Sequence, residues 1–247
     1  MRILLTNDDG IFAPGLSALY KELVRIGEVV VVAPSESQSG ASHRITLKNP
    51  LVCNKVQIAG EFSGYSVDGS PADCVKLAYM ELVDGNIDLL VAGLNNGANV
   101  GINIYYSGTV AAAMEGSFLS LPSVAMSVAA EEHVDFQSAA RYCMGVLKKV
   151  LPVQKSEVIN INIPQLSKGE PRGVKVVPQS TEGFEESYVC NRSGDGKLLF
   201  QLTGGTHRFE ESRTDTMSLS EGFITVTSLA SGMTDYTKNK KLEQIKW

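Results

Sequence analysis

The chain is poor in the residues that would tie it to several common functions. Its four cysteines, Cys53, Cys74, Cys143 and Cys190, lie far apart with no C-x-x-C pair. Neither a disulfide framework nor a thiolate zinc site is expected, and the thiols read as reduced and mostly buried. Three histidines without a cluster argue against a zinc hydrolase of the histidine-ligand type. There is no G-x-x-x-x-G-K-[ST] stretch, so P-loop chemistry is not expected. Basic residues are outnumbered, 22 to 27, giving a net charge of −5, and this denies the chain the electrostatic footprint of a duplex-DNA binder. No apolar run approaches the roughly 20 residues that cross a bilayer. The opening Met1-Arg2-Ile3-Leu4-Leu5-Thr6-Asn7-Asp8-Asp9 turns acidic too early for a signal peptide. A soluble cytoplasmic protein is expected.

What is present is a large core, since 43% of the 247 residues are hydrophobic. A chain of this size buries roughly three-quarters of its unfolded surface. Four short, partly β-branched runs, Ile3 to Leu5, Val29 to Ala33, Leu89 to Ala92 and Val124 to Met126, end in polar or turn-forming residues, as strands buried on both faces do. Helical spacing separates them: Leu16 to Val24, then a segment opened by Ser70-Pro71-Ala72-Asp73, a third from about Val110 to Leu119, and a fourth from about Phe136 to Leu151. Val158 to Ile163 reads as a further strand. This alternation predicts a Rossmann-like α/β fold with a doubly wound, mostly parallel sheet. Short runs between Ile45 and Val67 predict an inserted β-hairpin. The core is expected to span residues 1–165. Residues 166–247, with strand-like pieces at Val174 to Val177, Leu198 to Leu202 and Phe223 to Val226, read as a β-rich arm and tail, not an independent domain. Thr237 to Trp247 read as a loose polar helix.

In open α/β sheets ligands bind beyond the carboxyl ends of the strands, and four of those ends are polar here. Asn7-Asp8-Asp9-Gly10 follows the first run. Two adjacent carboxylates repel each other when ionised, and a hard dication such as Mg²⁺, Mn²⁺ or Ca²⁺ relieves that repulsion; a solvated acidic turn ending at Gly10 would look the same. Pro34 to Ser42 carries four serines, which suits either ligand contacts or a flexible surface loop. Gly93 to Gly101 holds Asn95, Asn96 and Asn99, whose side chains can ligate a metal or donate to phosphate. Ser107-Gly108-Thr109 stands directly before the third helix, where unpaired N–H groups and the helix dipole favour an anion; Ser or Thr there also serves as an ordinary cap. His43 lies just past the serine loop and is a candidate contact to phosphate or leaving group, although a lone loop histidine is more commonly a surface residue. The role of Glu115 is not readable. Together, two acids, neutral oxygen donors and a helix start point to metal-assisted phosphate-ester hydrolysis, without naming the ester.

Asn7 to Gly10 with Ala13-Pro14-Gly15, Val32-Ala33-Pro34, Gly69 to Val75, Gly93 to Gly101 and Tyr106 to Val110 resemble, in order and spacing, the SurE family of stationary-phase survival 5′/3′-nucleotidases. The likeness recurs at Thr214-Asp215 and at Glu221 to Thr227. The resemblance implies one divalent ion per subunit held at Asp8, Asp9, Ser39 and Asn95, and a phosphate pocket lined by Asn99 and Ser107-Gly108-Thr109. Catalytic roles then fall to Asp8, Asp9, Asn99, Ser107, Gly108 and Thr109, and substrate contacts to Asn7, Asn96, His43 and the Ser107–Thr109 turn. Nucleoside 5′-monophosphates are the implied substrates, with 3′-monophosphates and polyphosphate as extensions, and the implied assembly is a homodimer or homotetramer that exchanges C-terminal segments. Departures from the family pattern include Asn103 in place of Asp and Ser228 in place of Pro. Two rival readings remain: a receiver-like switch, which needs a lone Asp at a later strand end where Asn95 and Asn96 stand, and a non-catalytic nucleotide or phosphate sensor, which would share the pocket.

Overall fold

The computed structural model of the chain describes residues 1–83, 86–182, 184–194, 196–203, 205–207 and 213–245. In chain order the first strands are β1 (Arg2–Thr6), β2 (Glu28–Pro34), β3 (Cys53–Ile58), β4 (Phe62–Val67), β5 (Leu89–Asn96), β6 (Ser123–Val128) and β7 (Val158–Ile163). Helices α1 (Pro14–Leu23), α2 (Pro71–Leu77), α3 (Gly108–Phe118) and α4 (Phe136–Val150) alternate with them. After Pro164 come β8 (Val174–Val176), β9 (Phe184–Glu185), β10 (Tyr188–Arg192), β11 (Leu198–Leu202), β12 (Thr206–His207), α5 (Asp215–Ser220), β13 (Ile224–Leu229) and α6 (Tyr236–Leu242).

Nine strands form one sheet in the order β3-β4-β2-β1-β5-β6-β7-β13-β8. From β4 to β7 every neighbouring pair is parallel. Alternate side chains of a strand point to opposite faces, and β1 is apolar from Ile3 to Leu5 because helices cover both. Ile3 and Leu5 of β1 pack with Leu16, Leu19 and Leu23 of α1 and with Cys143 and Leu147 of α4. Leu4, between them in sequence, packs on the other face with Cys74 and Val75 of α2 and Val110 and Ala113 of α3. This is a Rossmann-like, doubly wound α/β fold.

The sheet changes direction of winding between β1 and β5, whose strands pair Thr6 with Ala92. A crevice opens beyond the strand ends at such a switch point, so the residues that follow Thr6 and Ala92 face one another across it.

Several local starts follow from sequence chemistry. Ser70 and Asp73 form a reciprocal capping box at α2, with Pro71 in the first turn; the helix then loosens into a wide turn over Ala78–Leu82. Helix α3 begins two residues earlier than its apolar spacing predicts. Ser107 is the cap, accepting from the Val110 N–H at 3.1 Å, so Gly108 and Thr109 lie inside the first turn. The inserted hairpin is present as β3–β4, and β4 also pairs with β2, so the hairpin widens the sheet.

Beyond Pro164, two pieces are strands of the sheet itself. β13 runs antiparallel to β7, and β8 runs parallel to β13. The β10–β11 hairpin and the short β9–β12 pair lie outside the main sheet. Helix α6 buries none of its residues; Trp247, placed in this helix by sequence, falls outside the described residues. No helix among the described residues is long and apolar enough to cross a membrane.

Candidate active site

The crevice is built from three chain segments that converge on the end of β1. Asn7 is fully buried and spends its side-chain amide on the turn, donating from Nδ2 to the Gly10 carbonyl at 2.8 Å. Gly10 closes that turn at φ +104°, a conformation open to glycine. Asp8 follows, with only 4% of its surface exposed. Its Oδ1 accepts from the Thr109 hydroxyl, which ties the strand end to the first turn of α3. Gly108 makes the approach possible: a Cβ there would lie 2.8 Å from the Asp8 Cβ and 3.1 Å from its Oδ2.

Asp9 is more open and accepts the Asn96 N–H at 3.1 Å, which bonds the acidic turn to the end of β5 across the switch point. Asn95 donates its side-chain N–H to the Gly97 carbonyl at 2.7 Å. The amide is thereby oriented, and its own carbonyl oxygen remains as an acceptor. The serine loop joins from the β2 side: the Gln38 N–H donates to the Asp8 carbonyl at 2.7 Å, and Ser39, the next residue, has its hydroxyl 3.1 Å from that of Ser37.

Charge is poorly accommodated here in the protein alone. Burial raises the Asp8 carboxyl to about 6; the Thr109 hydroxyl opposes the shift and the neighbouring Asp9 charge adds to it. Asp9 is also raised by burial, against the pull of the Asn96 N–H. Two carboxylates resisting ionisation beside neutral amide and hydroxyl oxygens form a donor set that suits a hard cation. Among the described residues no group of three or more His, Cys, Asp or Glu side chains gathers, so any cation here depends on two carboxylates with Ser39 and Asn95. The opposite wall is the start of α3, whose first N–H groups favour an oxyanion.

Other residues singled out from sequence have different places. Asn99 is buried beyond β6 and β7. Its Nδ2 donates to the Ser127 hydroxyl at 2.8 Å, its N–H to Asn162 Oδ1 at 2.8 Å, and its carbonyl accepts from Asn160 and Asn162. His43 is not gathered with the aspartates through any of these bonds. Its Nε2 lies 2.8 Å from Glu115 Oε2, nearly two turns along α3, where Lys76 holds the other carboxylate oxygen at 2.8 Å. Burial pushes the Glu115 carboxyl up, but the contacts from His43 and Lys76 outweigh it and hold the group below its ordinary range. The role of Glu115, unreadable from sequence, is to anchor α2 and the serine loop to α3.

Asp215 was given no role by sequence reasoning, and it organises the asparagine loop. Fully buried, it accepts from the Gly101 N–H at 2.9 Å and the Ser180 N–H at 2.8 Å. Asn160 and Asn162 did carry a signal: asparagine at alternate positions of an otherwise apolar strand marks a polar stripe on one face of the sheet.

Adjacent carboxylates, one bonded to a helix start and one to the end of β5, at the switch point of a doubly wound sheet define an α/β protein equipped to hold a phosphoryl group. The family model described as Survival protein SurE matches residues 3–186, and the chain belongs to the SurE family. A protein named 5′-nucleotidase SurE from Syntrophus aciditrophicus is 41% identical over 96% of this chain and 90% of its own length. Another of that name, from Lawsonia intracellularis, is 42% identical over 99% and 98%. The crystal structure of the SurE protein from Aquifex aeolicus superposes with a TM-score of 0.85 at 36% identity, covering 98% of each chain.

Proposed function

We propose that the chain is a divalent-cation-dependent phosphomonoesterase that hydrolyses nucleoside 5′-monophosphates to nucleoside and orthophosphate. The observation that carries this reading is the bond from Thr109 to Asp8, which sets one member of a carboxylate pair against a helix N-terminus with glycine at the contact. Relatives near 40% identity over nearly the whole chain bear the name 5′-nucleotidase SurE, which agrees with it.

Asp8, Asp9, Ser39 and Asn95 would hold the cation, which when bound polarises a phosphoryl oxygen and acidifies a coordinated water. The start of α3 takes the other phosphoryl oxygens through N–H groups that the Ser107 cap leaves free, while Thr109 holds Asp8 beside them and Gly108 lets Asp8 come that close. Ser107 caps the turn and presents its hydroxyl at the rim. Asn99 holds the loop between β5 and α3 in place. Asp9 spends one oxygen on Asn96; its second oxygen orients the attacking water. The water oxygen forms a bond to phosphorus, the ester P–O bond breaks, and a proton passes to the departing alkoxide. Because this cradle contacts the phosphoryl group alone, 3′-monophosphates and the end of a polyphosphate chain are further substrates.

The four free thiols agree with a reducing, cytoplasmic location. Exposed Tyr188, Leu199 and Phe200 on the β10–β11 hairpin, and an α6 with no buried residue, support assembly through the C-terminal section into a homodimer or homotetramer.

The test is phosphate release from a panel of nucleotides and polyphosphate after chelator stripping, with Mg²⁺, Mn²⁺ and Ca²⁺ added singly. Restored turnover is expected, and Asp8→Asn should lower it on the order of 100-fold or more. Wild-type turnover in Asp8→Asn, or turnover indifferent to chelation, would refute the assignment. Saturable binding of AMP with no phosphate release would identify a sensor instead.

A further inference from the structure

The serine loop is held to the site differently from the strands beside it. Asp8 follows β1 directly and Asn95 lies within β5, both fixed by the sheet. None of residues 35–42 is buried, so no apolar side chain anchors the loop in the core. Ser39 stands in a turn over residues 38–41, closed by the Ala41 N–H on the Gln38 carbonyl at 3.0 Å, with Gly40 at φ +72°. The place of Ser39 therefore depends on polar bonds at the two ends of that turn. At one end Gln38 meets the Asp8 carbonyl. At the other, Ser42 clips the loop to the segment that leads into α3. Its N–H donates to the Tyr106 carbonyl at 3.1 Å and its hydroxyl to the Tyr105 carbonyl at 2.7 Å.

Ser42 makes those bonds from a left-handed backbone, at φ +54°, which a residue with a Cβ adopts at a cost. Such a conformation persists where its surroundings over-determine it. His43, the next residue, supplies the fixing. Its ring lies nearly parallel to that of Phe118, at 6° and 5.4 Å between centroids, and its Nε2 is 2.8 Å from Glu115 Oε2. Glu115 is itself immobile: it is buried on α3, and Lys76 of α2 holds its other oxygen. An ionised carboxylate only accepts, so the imidazole N–H points at it. Without that link the strain at Ser42 is free to relax, and the turn that bears Ser39 moves with it.

We propose that His43 and Glu115 are positioning residues for the cation site, keeping Ser39 within reach of a dication held by Asp8, Asp9 and Asn95. The inference rests on the cation-dependent reading above and adds to it what fixes the fourth ligand. A hydroxyl is a neutral, weak ligand, and the cost of ordering its loop on binding would be subtracted from the affinity. Its contribution is therefore largest when the loop is in place before the ion arrives. His43 acts through Ser39 and not on the reacting atoms, which agrees with its bond to the flank of α3. Residues that orient ligands in this way change metal affinity by about 10–100-fold when removed, and one neutral ligand belongs at the low end.

The experiment titrates the chelator-stripped full chain with Mn²⁺ and reads the free ion by electron paramagnetic resonance, so no turnover is needed. His43→Ala is expected to weaken Mn²⁺ binding by about ten-fold. His43→Gln keeps an N–H donor of similar reach and should stay within about three-fold of the unaltered protein. Ser39→Ala sets the ceiling: the double variant with His43→Ala should bind Mn²⁺ as Ser39→Ala does alone, because both act through one ligand. Turnover of AMP by His43→Ala, low at limiting Mn²⁺, should recover when Mn²⁺ saturates. Unaltered Mn²⁺ affinity in His43→Ala overturns the inference. So does additive weakening in the double variant, which would mean that His43 acts otherwise than through Ser39. Turnover that stays low at saturating Mn²⁺ also overturns it, by placing His43 at the reacting atoms. No saturable Mn²⁺ binding in the unaltered chain refutes the cation site and this inference together; binding indifferent to His43 refutes this inference alone.

Discussion

Adding one methyl group at Gly108 should have the opposite effect on stability from adding it at Gly145. Gly145 is exposed within α4, and a Cβ built there has nothing within 4 Å. Gly145→Ala therefore removes only the entropic handicap of glycine in a helix and should stabilise the protein by up to about 1 kcal/mol. At Gly108 the same atom would stand 2.8 Å from the Asp8 Cβ and 3.1 Å from both Asp8 Oδ2 and the Pro71 Cγ. Asp8 is fixed by its strand and by Thr109, and Pro71 by the first turn of α2, so the start of α3 has to move outward. Overpacking of that kind costs about 1–3 kcal/mol. The two variants should thus differ by about 2–4 kcal/mol, which for a chain of this length separates their melting temperatures by roughly 5–15 °C. Urea denaturation with fitted m-values reads the difference directly, and phosphate release from AMP should fall in Gly108→Ala while Gly145→Ala keeps full turnover. Equal stability and equal turnover in the two variants would mean that α3 does not sit on Asp8, and the site as described would be wrong.

Two further outcomes test the supports around the site. Burial alone would raise the Asp73 carboxyl, but donors from Thr46 and Ser70 outweigh it and hold the group below its ordinary 3.8. A depressed carboxyl contributes stability above its unfolded pKa and loses it as pH falls through the folded one. Asp73→Asn should therefore cost about 1 kcal/mol near neutrality, and its deficit against the parent, followed by thermal melts from pH 7 to 3, should shrink below pH 4; a deficit that grows on acidification would contradict the capping assignment. Asp215→Ala leaves the Gly101, Ser180 and Thr216 N–H groups without this carboxylate. A loss of about 2 kcal/mol or more is expected, with turnover reduced because the loop leading to Ser107 is released; unaltered activity in a folded variant would show that the loop is positioned from elsewhere.

Much of the parallel core was legible because its residues answer to local rules. Runs such as Val29 to Ala33 are too apolar and too short for anything but a strand covered twice, and Ser70-Pro71-Ala72-Asp73 contains its own cap. The start of α3 was less legible, since Gly108 and Thr109 are weak helix formers and are drawn into the helix by the Ser107 cap and the contact with Asp8. β13 was harder still: Ile-Thr-Val-Thr reads equally well as an edge piece, and its place beside β7 depends on a pairing about 60 residues away. The acidic turn announced itself through the cost of two neighbouring carboxylates. His43 did not, because its partner Glu115 lies 72 positions on, and nothing in the local residues around either one reveals that the serine loop lies along the flank of α3.

The antiparallel strand at the edge has a consequence for how the molecule is made. β7 finds its outer neighbour in residues 224–229, so a chain growing from the ribosome completes seven strands with one long flank of β7 bare. Unpaired backbone on an exposed strand edge is a template for other chains, and the asparagine loop meanwhile waits for Asp215. The nascent protein is therefore most prone to stick to its neighbours in the interval before residues 224–229 emerge, and premature termination in that interval yields an aggregating fragment in place of a smaller working enzyme.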